Sequence, residues 1–342
     1  MQLSYPFEQV PAAGEAISVA PGVHWVRMPL PFALDHVNLW LLEDGQDEAG
    51  RLAWTAVDTG VALDPVKDNW RRLLEAHPLR RQIVTHFHPD HLGLAAWLQG
   101  ETGAPLWMTL GEYTTAQLIC AEVGNYKTAA MLEQFRANGL NEQRLQALAR
   151  RGNAYKLVVP EIPATFRRLF AGETITIGEH SWRVIIGHGH APEHASLYCE
   201  RLQLLISGDM LLPRISTNVS LQPALPEGNP LGLFLDSIAA LKALPADTLV
   251  LPSHGKPFRG LHSRVAELQE HHRDRCAELI KACATPQTAA ELIPVLFPRD
   301  ISDPHQTMFA MGEALAHLNY LEQSGALYRS LDSDVYKFCK TH

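Results

Sequence analysis

The chain has 342 residues, 46% of them hydrophobic, with 29 Lys and Arg against 37 Asp and Glu for a net charge of -8. That is enough apolar chain for one large domain and a small one, and the acidic balance argues against a nucleic-acid partner, which needs a basic face. The sequence contains no apolar run of about 18 residues or more and no basic segment followed by an apolar one at Met1–Pro6, so neither a membrane span nor secretion is expected. Five cysteines (Cys120, Cys199, Cys276, Cys283, Cys339) are odd in number and lack CxxC spacing, which reads as free thiols in a reducing cytoplasm.

In chain order, the apolar pair Ala56-Val57 runs into the polar turn Asp58-Thr59-Gly60, and the strand Gln82-Ile83-Val84 runs into Thr85-His86-Phe87-His88-Pro89-Asp90-His91-Leu92-Gly93. Here four metal-ligand side chains lie within six positions. His86 and His88 share one side of an extended segment, while Pro89 starts the turn that carries Asp90 and His91. One strand end therefore offers two ligands to one divalent ion and two to a neighbour. A polar loop with packing histidines is the bland alternative, and it does not account for so tight a cluster.

Residues 111–152 carry apolar residues at helical spacing (Leu118, Ile119, Val123; Met131, Leu132, Phe135; Leu145, Leu148), predicting two or three amphipathic helices. They read equally as an added packing layer and as a cap over the metal rim, with Met108, Tyr113, Tyr126 and Phe135 as pocket candidates. Three more short apolar strands follow, Val184–Ile186, Leu204–Ile206 and Thr248–Leu251. Each has the length and flanking Gly or Pro of a strand buried on both faces, and each ends in a polar residue. Strands side by side bring such ends to one rim.

Residues 263–342 form a smaller segment with eight Lys and Arg and eleven Asp and Glu, a balance of -3. It predicts helices over 285–296 and about 306–324, then two short strands about a polar turn, the order of a winged-helix module. Ala314, Leu318 and Leu321 give the long helix a buried face. The acidity favours a lid or dimer support over DNA reading.

Taken together, these motifs resemble the metallo-β-lactamase-fold hydrolase superfamily over roughly residues 18–262. Thr85–Gly93 is similar to its HxHxDH signature, Gly187-His188-Gly189-His190 with Ala191–His194 to its GHTxGH loop, and Ser207-Gly208-Asp209 to the strand end with the bridging aspartate. Ser253-His254-Gly255 resembles the last ligand turn, and Asp58-Thr59-Gly60 the DTG turn. The resemblance implies an α/β fold: a four-layer αββα metallo-β-lactamase sandwich over 1–262, with a helical cap insertion at about 111–152 and a winged-helix-like C-terminal domain at 263–342.

It also implies two divalent metal ions, with zinc expected and iron or manganese the alternatives. His86, His88 and His190 hold one, Asp90, His91 and His254 the other, and Asp209 bridges both. Catalytic roles then fall to Asp90 and Asp209, which orient and deprotonate the attacking water, and to His194, which orients a ligand or closes its loop. His188, though two residues from His190, is not expected to touch metal. His271 and His272 read as solvated on a charged helix, and His305 and His317 as packing or capping residues.

The implied activity is a dinuclear metal-dependent hydrolase using a metal-bridging hydroxide on a small ester-like substrate, thioester or lactone. The alternatives are a phosphodiesterase or endoribonuclease and a mononuclear iron persulfide dioxygenase. Asp209 at the bridge disfavours antibiotic hydrolysis, and His88 disfavours a diiron redox centre. A small-molecule substrate is expected, with no membrane or nucleic-acid partner, and a homodimer stays open.

Overall fold

The computed structural model describes residues 2–31, 34–47 and 49–341. Strands β1 (Ala16–Ala20), β2 (Val23–Pro29), β3 (His36–Gln46) and β4 (Leu52–Val57) are antiparallel neighbours. Helix α1 (Asp64–Ala76) crosses to β5 (Leu79–Ile83), and α2 (Pro89–Leu92) and α3 (Ala95–Thr102) cross to β6 (Leu106–Met108). Helices α4 (Leu110–Cys120), α5 (Thr128–Ala137), α6 (Glu142–Arg151) and α7 (Ala154–Val158) then precede the two-residue β7 (Arg167–Arg168). From β4 to β7 the pairing is parallel, completing a seven-stranded sheet whose spatial order is the chain order.

The second sheet holds β8 (Thr174–Ile177), β9 (His180–Gly187), β10 (His194–Cys199), β11 (Leu204–Gly208) and, after α8 (Pro230–Ala240), β12 (Leu249–Pro252). Its order is β12-β11-β10-β9-β8, antiparallel except for β11 with β12. The chain continues through α9 (Leu261–Ala282), α10 (Ala289–Leu296), α11 (Pro304–Gln323) and the hairpin β13 (Leu327–Asp332) and β14 (Val335–Lys340).

The layers follow from where apolar side chains alternate. Trp25, Trp40, Val57 and Ile83 on one sheet face Ile175, Trp182, Leu197 and Ile206 on the other, forming the core between them. The opposite face of the first sheet, with Leu39, Leu41 and Trp54, is covered by Trp70 and Leu73 of α1 and Leu98 of α3. On the second sheet Tyr198, Leu205 and Val250 lie under Phe234 and Ile238 of α8 and Val265 and Leu268 of α9. Helix on sheet on sheet on helix is the expected four-layer αββα sandwich. Fully buried Phe234 is central to the outer contact, where truncation to Ala typically costs about 3–5 kcal/mol.

The insertion and the C-terminal segment share the core that lies outside the second sheet. Phe135, Leu145 and Leu148 belong to one apolar cluster with Leu292, Leu315 and Leu318. Helix α9 begins at Leu261, so the expected boundary at 262/263 falls in its first turn. Thr288 and Glu291 cap α10 reciprocally, and the turn of the hairpin is Ser333-Asp334 with φ of 50° and 68°.

Several expectations need correction. His272 is not solvated: it is fully buried, in a row with Val265, Leu268, Cys276 and Leu279, and its Nδ1 lies 3.2 Å from His317 Nε2. The charged neighbours that suggested solvation lie on the other face of α9. Met108 and Phe135, offered as pocket candidates, are core residues in two different clusters. Tyr113 instead stacks on Phe166 and donates its hydroxyl to the Pro163 carbonyl.

Candidate metal centre

Parallel β4 and β5 end on one edge of the first sheet. Strands β9, β11 and β12 run in one direction in the second sheet, and the loops that follow them carry His190, Asp209 and His254. Two cross-sheet links bring the two edges together: the Ala195 amide donates to the Thr85 carbonyl at 2.9 Å, and the Asn38 side chain donates to the Pro252 and Gly255 carbonyls at 2.8 Å each. Proline at the first position of α2 ends the extended His86–His88 segment and turns Asp90 and His91 inward. Gly208, at φ 54°, carries the chain into Asp209 where a Cβ would strike the His194 imidazole.

All seven expected ligands converge, in two sets. In the first, His86 Nε2 lies 3.0 Å from His88 Nδ1 and 3.1 Å from His190 Nε2, and Asp209 Oδ2 lies 3.5 Å from His190 Nε2. In the second, Asp90 Oδ2 lies 3.5 Å from His91 Nε2 and 3.4 Å from His254 Nε2. Asp209 Oδ1 turns to this second set, 3.4 Å from His254 Nε2 and 3.7 Å from His91 Nε2. One carboxylate thus presents one oxygen to each triplet.

The outward nitrogens of these imidazoles are already committed. His86 Nδ1 donates to Thr85 Oγ1 at 3.0 Å, and Thr85 Oγ1 donates to the Asp58 carboxylate at 2.9 Å. Asp58 also accepts from His91 Nδ1 at 2.8 Å. His190 Nδ1 donates to the Asn218 carbonyl at 2.7 Å and His254 Nδ1 to the His36 carbonyl at 2.9 Å. In that tautomer the converging nitrogens of His86 and His190 present lone pairs to each other, which repel unless a cation lies between them. His91 Nε2 and Asp209 Oδ1 are buried without a hydrogen-bond partner. Imidazole and carboxylate donors in two such triplets fit two divalent ions.

The electrostatics agree with this division. Burial, reinforced by the neighbouring imidazoles His91, His88 and His190, holds His86 well below the usual value. Burial and His190 likewise bring His88 down to about 3, the neutral form a metal requires. Burial also opposes charge on His254, but Asp209 and Asp90 outweigh it and raise that imidazole to about 10. Two carboxylates that draw protons onto His254 and His91 are an equally strong draw for a cation.

His194 lies behind the ligands. It is fully buried, and its Nε2 accepts the Asp209 amide at 3.2 Å, so it fixes the start of the bridging residue. His188 turns away, with Nδ1 donating to the Pro192 carbonyl at 2.6 Å. Sequence reasoning missed Glu112 of α4. Its Oε2 accepts the Phe87 amide at 2.9 Å and its Oε1 the Glu193 amide at 2.6 Å, tying the two histidine loops together. Burial pushes its pKa up to about 8, against these two amide bonds, which favour the charged form. An acidic residue among apolar positions of the insertion was the available signal. Tyr155 of α7 donates to the Phe87 carbonyl at 2.6 Å, so the insertion holds the first histidine loop from both directions.

A buried double triplet with one carboxylate turned toward both halves, on the rim of an αββα sandwich, is a potential dimetal site of a metallohydrolase, and the comparisons name that class. Residues 34–254 match the family described as Metallo-beta-lactamase superfamily, and residues 276–341 match Metallo-beta-lactamase-like, C-terminal domain. The chain is 45% identical to a beta-lactamase domain protein from Burkholderia ambifaria of known crystal structure, covering 99% of this chain and 98% of that one with a TM-score of 0.91. It is 30% identical to a metallo-beta-lactamase family protein from Thermus thermophilus, over 95% of this chain and 100% of that one, at a TM-score of 0.78. A Bacillus subtilis protein called "Probable metallo-hydrolase YqjP" is 25% identical over 315 residues, which are 88% of this chain and 92% of that protein. The chain belongs to the metallo-β-lactamase superfamily.

Proposed function

We propose that this metallohydrolase cleaves a small ester-like carbonyl compound, a thioester or a lactone, with two divalent ions, zinc foremost. The observation that carries the reading is Asp209, with one oxygen toward each of the two ligand triplets. A pair of divalent ions held there would supply Lewis acidity and an activated water at neutral pH. Asp90 and Asp209 are the carboxylates that would accept a proton from such a water, while His194 keeps Asp209 in place through its amide. No Ser or Cys nucleophile is required.

The C-terminal segment has the element order of a winged helix, and we read it as a support for the site. Twelve residues of α11, the position that would read DNA in such a module, are buried, among them Met311, Ala314, Leu315 and Leu318. That burial and the net charge of -8 favour a small substrate over a nucleic acid. All five cysteines are free, which suits a reducing cytoplasm. Among the described residues no helix is long and apolar enough to cross a membrane.

The test is a panel of acyl thioesters, lactones, phosphodiesters and single-stranded RNA on zinc-loaded protein. Turnover of a thioester or lactone that disappears in His86→Ala supports the reading. Phosphodiester or RNA cleavage alone, or oxygen uptake with a persulfide by protein holding one iron, overturns it.

A further inference from the structure

Two of the candidate metal ligands, His190 and Asp209, bond to a loop that the C-terminal segment holds. Residues 217–221 follow Asp209 and lie across α11. On the metal side, Thr217 Oγ1 donates to the Asp209 carbonyl at 2.5 Å, and the Asn218 carbonyl accepts from His190 Nδ1 at 2.7 Å. On the other side, the Leu221 amide donates to the Gly312 carbonyl at 3.0 Å, and Asn218 Nδ2 donates to Glu313 Oε2 at 3.1 Å. Ser220 Oγ in turn donates to Asn218 Oδ1 at 2.8 Å, so both ends of the Asn218 amide are fixed. The approach is close: a Cβ on Gly312 would strike the Ser220 hydroxyl.

Glu313 is 8% exposed, and a carboxyl group is not placed in an apolar interface without compensation. Packing alone is served as well by Leu or Met. What the carboxyl adds is an acceptor for Asn218, whose carbonyl sets the tautomer and tilt of His190. We propose that Glu313, acting through Asn218, is a positioning residue for the metal bound by His86, His88 and His190, so that the C-terminal segment completes one half of the metal centre. This rests on the metal reading of the site and is independent of which substrate is cleaved.

The experiment measures Zn2+ affinity at each of the two sites in the full chain by competition with a chromophoric chelator, so no turnover is needed. Outer-shell partners of a metal-bound histidine are worth about 10- to 100-fold in metal affinity. Glu313→Leu is expected to weaken one zinc site by that factor and leave the other unchanged. Glu313→Gln, whose amide oxygen still accepts from Asn218, is expected to restore most of the loss. Asn218→Ala removes the link without touching α11 and serves if Glu313→Leu does not fold; it is expected to weaken the same single site. Two wild-type affinities in Asn218→Ala, or equal weakening of both sites in the variants, would overturn the proposal. Intact zinc binding without thioester or lactone turnover in the wild type would count against the substrate assignment alone.

Discussion

The two metal triplets are propped from different places. His91 and His254 lean on Asp58 and on the His36 carbonyl, one just past β4 and the other opening β3, so that half belongs to the first sheet. His190 leans on Asn218, in the loop between β11 and α8 that rests on α11. One half of the centre is therefore built by the sandwich alone and the other by the sandwich together with a segment about a hundred residues later. His86 joins them, since it sits with His88 and His190 yet reaches Asp58 through Thr85. In this chain the hydrogen bonds around the two triplets come from the sheet edge and, through Asn218, from the C-terminal helix α11.

Asp209→Ala breaks both halves at once. Among the described residues it removes the only carboxylate that addresses both triplets, and hydrolysis is expected to fall by about 10³-fold or more, the scale of several kcal/mol of metal assistance. Steady-state kinetics at saturating zinc measures it. Glu112→Leu parts the two histidine loops while leaving every ligand present. It orphans the buried Phe87 amide and the half-buried Glu193 amide at about 1–3 kcal/mol each, so urea unfolding should show a loss of about 2–6 kcal/mol, and Glu112→Gln a smaller one.

Acid should loosen the packing of α9 on α11 as well as the metal centre. Burial, then the neighbouring imidazoles, bring His272 down to about 3, and burial brings His317 down to about 4. Both pKa values are depressed from the ordinary 6.5, so the unfolded chain takes up protons below pH 6.5 that the folded chain refuses. Stability is accordingly lost as pH falls from 6.5 toward 4, by about 2 kcal/mol per histidine at pH 5. Denaturation of wild type and of a His272→Phe/His317→Leu double variant at pH 7 and pH 5 checks this: the variant should lose less. Equal losses would place the acid sensitivity elsewhere.

The smallest effect sharpens the division most. Asp58→Ala is expected to weaken both zinc sites by about 10- to 100-fold, because it frees His91 directly and His86 through Thr85. Thr85→Val keeps Asp58 on His91 and should weaken the His86 site alone, by about tenfold. Chelator competition distinguishes one weakened site from two.

His86, His88, Asp90 and His91 were legible because metal chemistry restricts both residue type and spacing, whereas His190, Asp209 and His254 were picked from seventeen histidines and many acids by the resemblance of their loops to the metallo-β-lactamase fold. Short apolar runs made the strands legible, and the resemblance supplied the αββα sandwich. Beyond His194 and the turn at Asp58, the supports were not legible. Asn218 and His36 act through backbone carbonyls, which every residue has. Glu112 and Glu313 are single acids in helices that look amphipathic, and only burial separates them from solvated ones. His272 was misread from charged neighbours, although its spacing from Val265, Leu268, Cys276 and Leu279 already put it on the inner face.

The proposal on which all of this turns is that two ions share the Asp209 carboxylate. Crystals of the zinc-loaded chain, measured at the zinc absorption edge, test it directly. The predicted result is two anomalous peaks on either side of Asp209, one among His86, His88 and His190 and one among Asp90, His91 and His254. A single peak, or density away from Asp209, would contradict it.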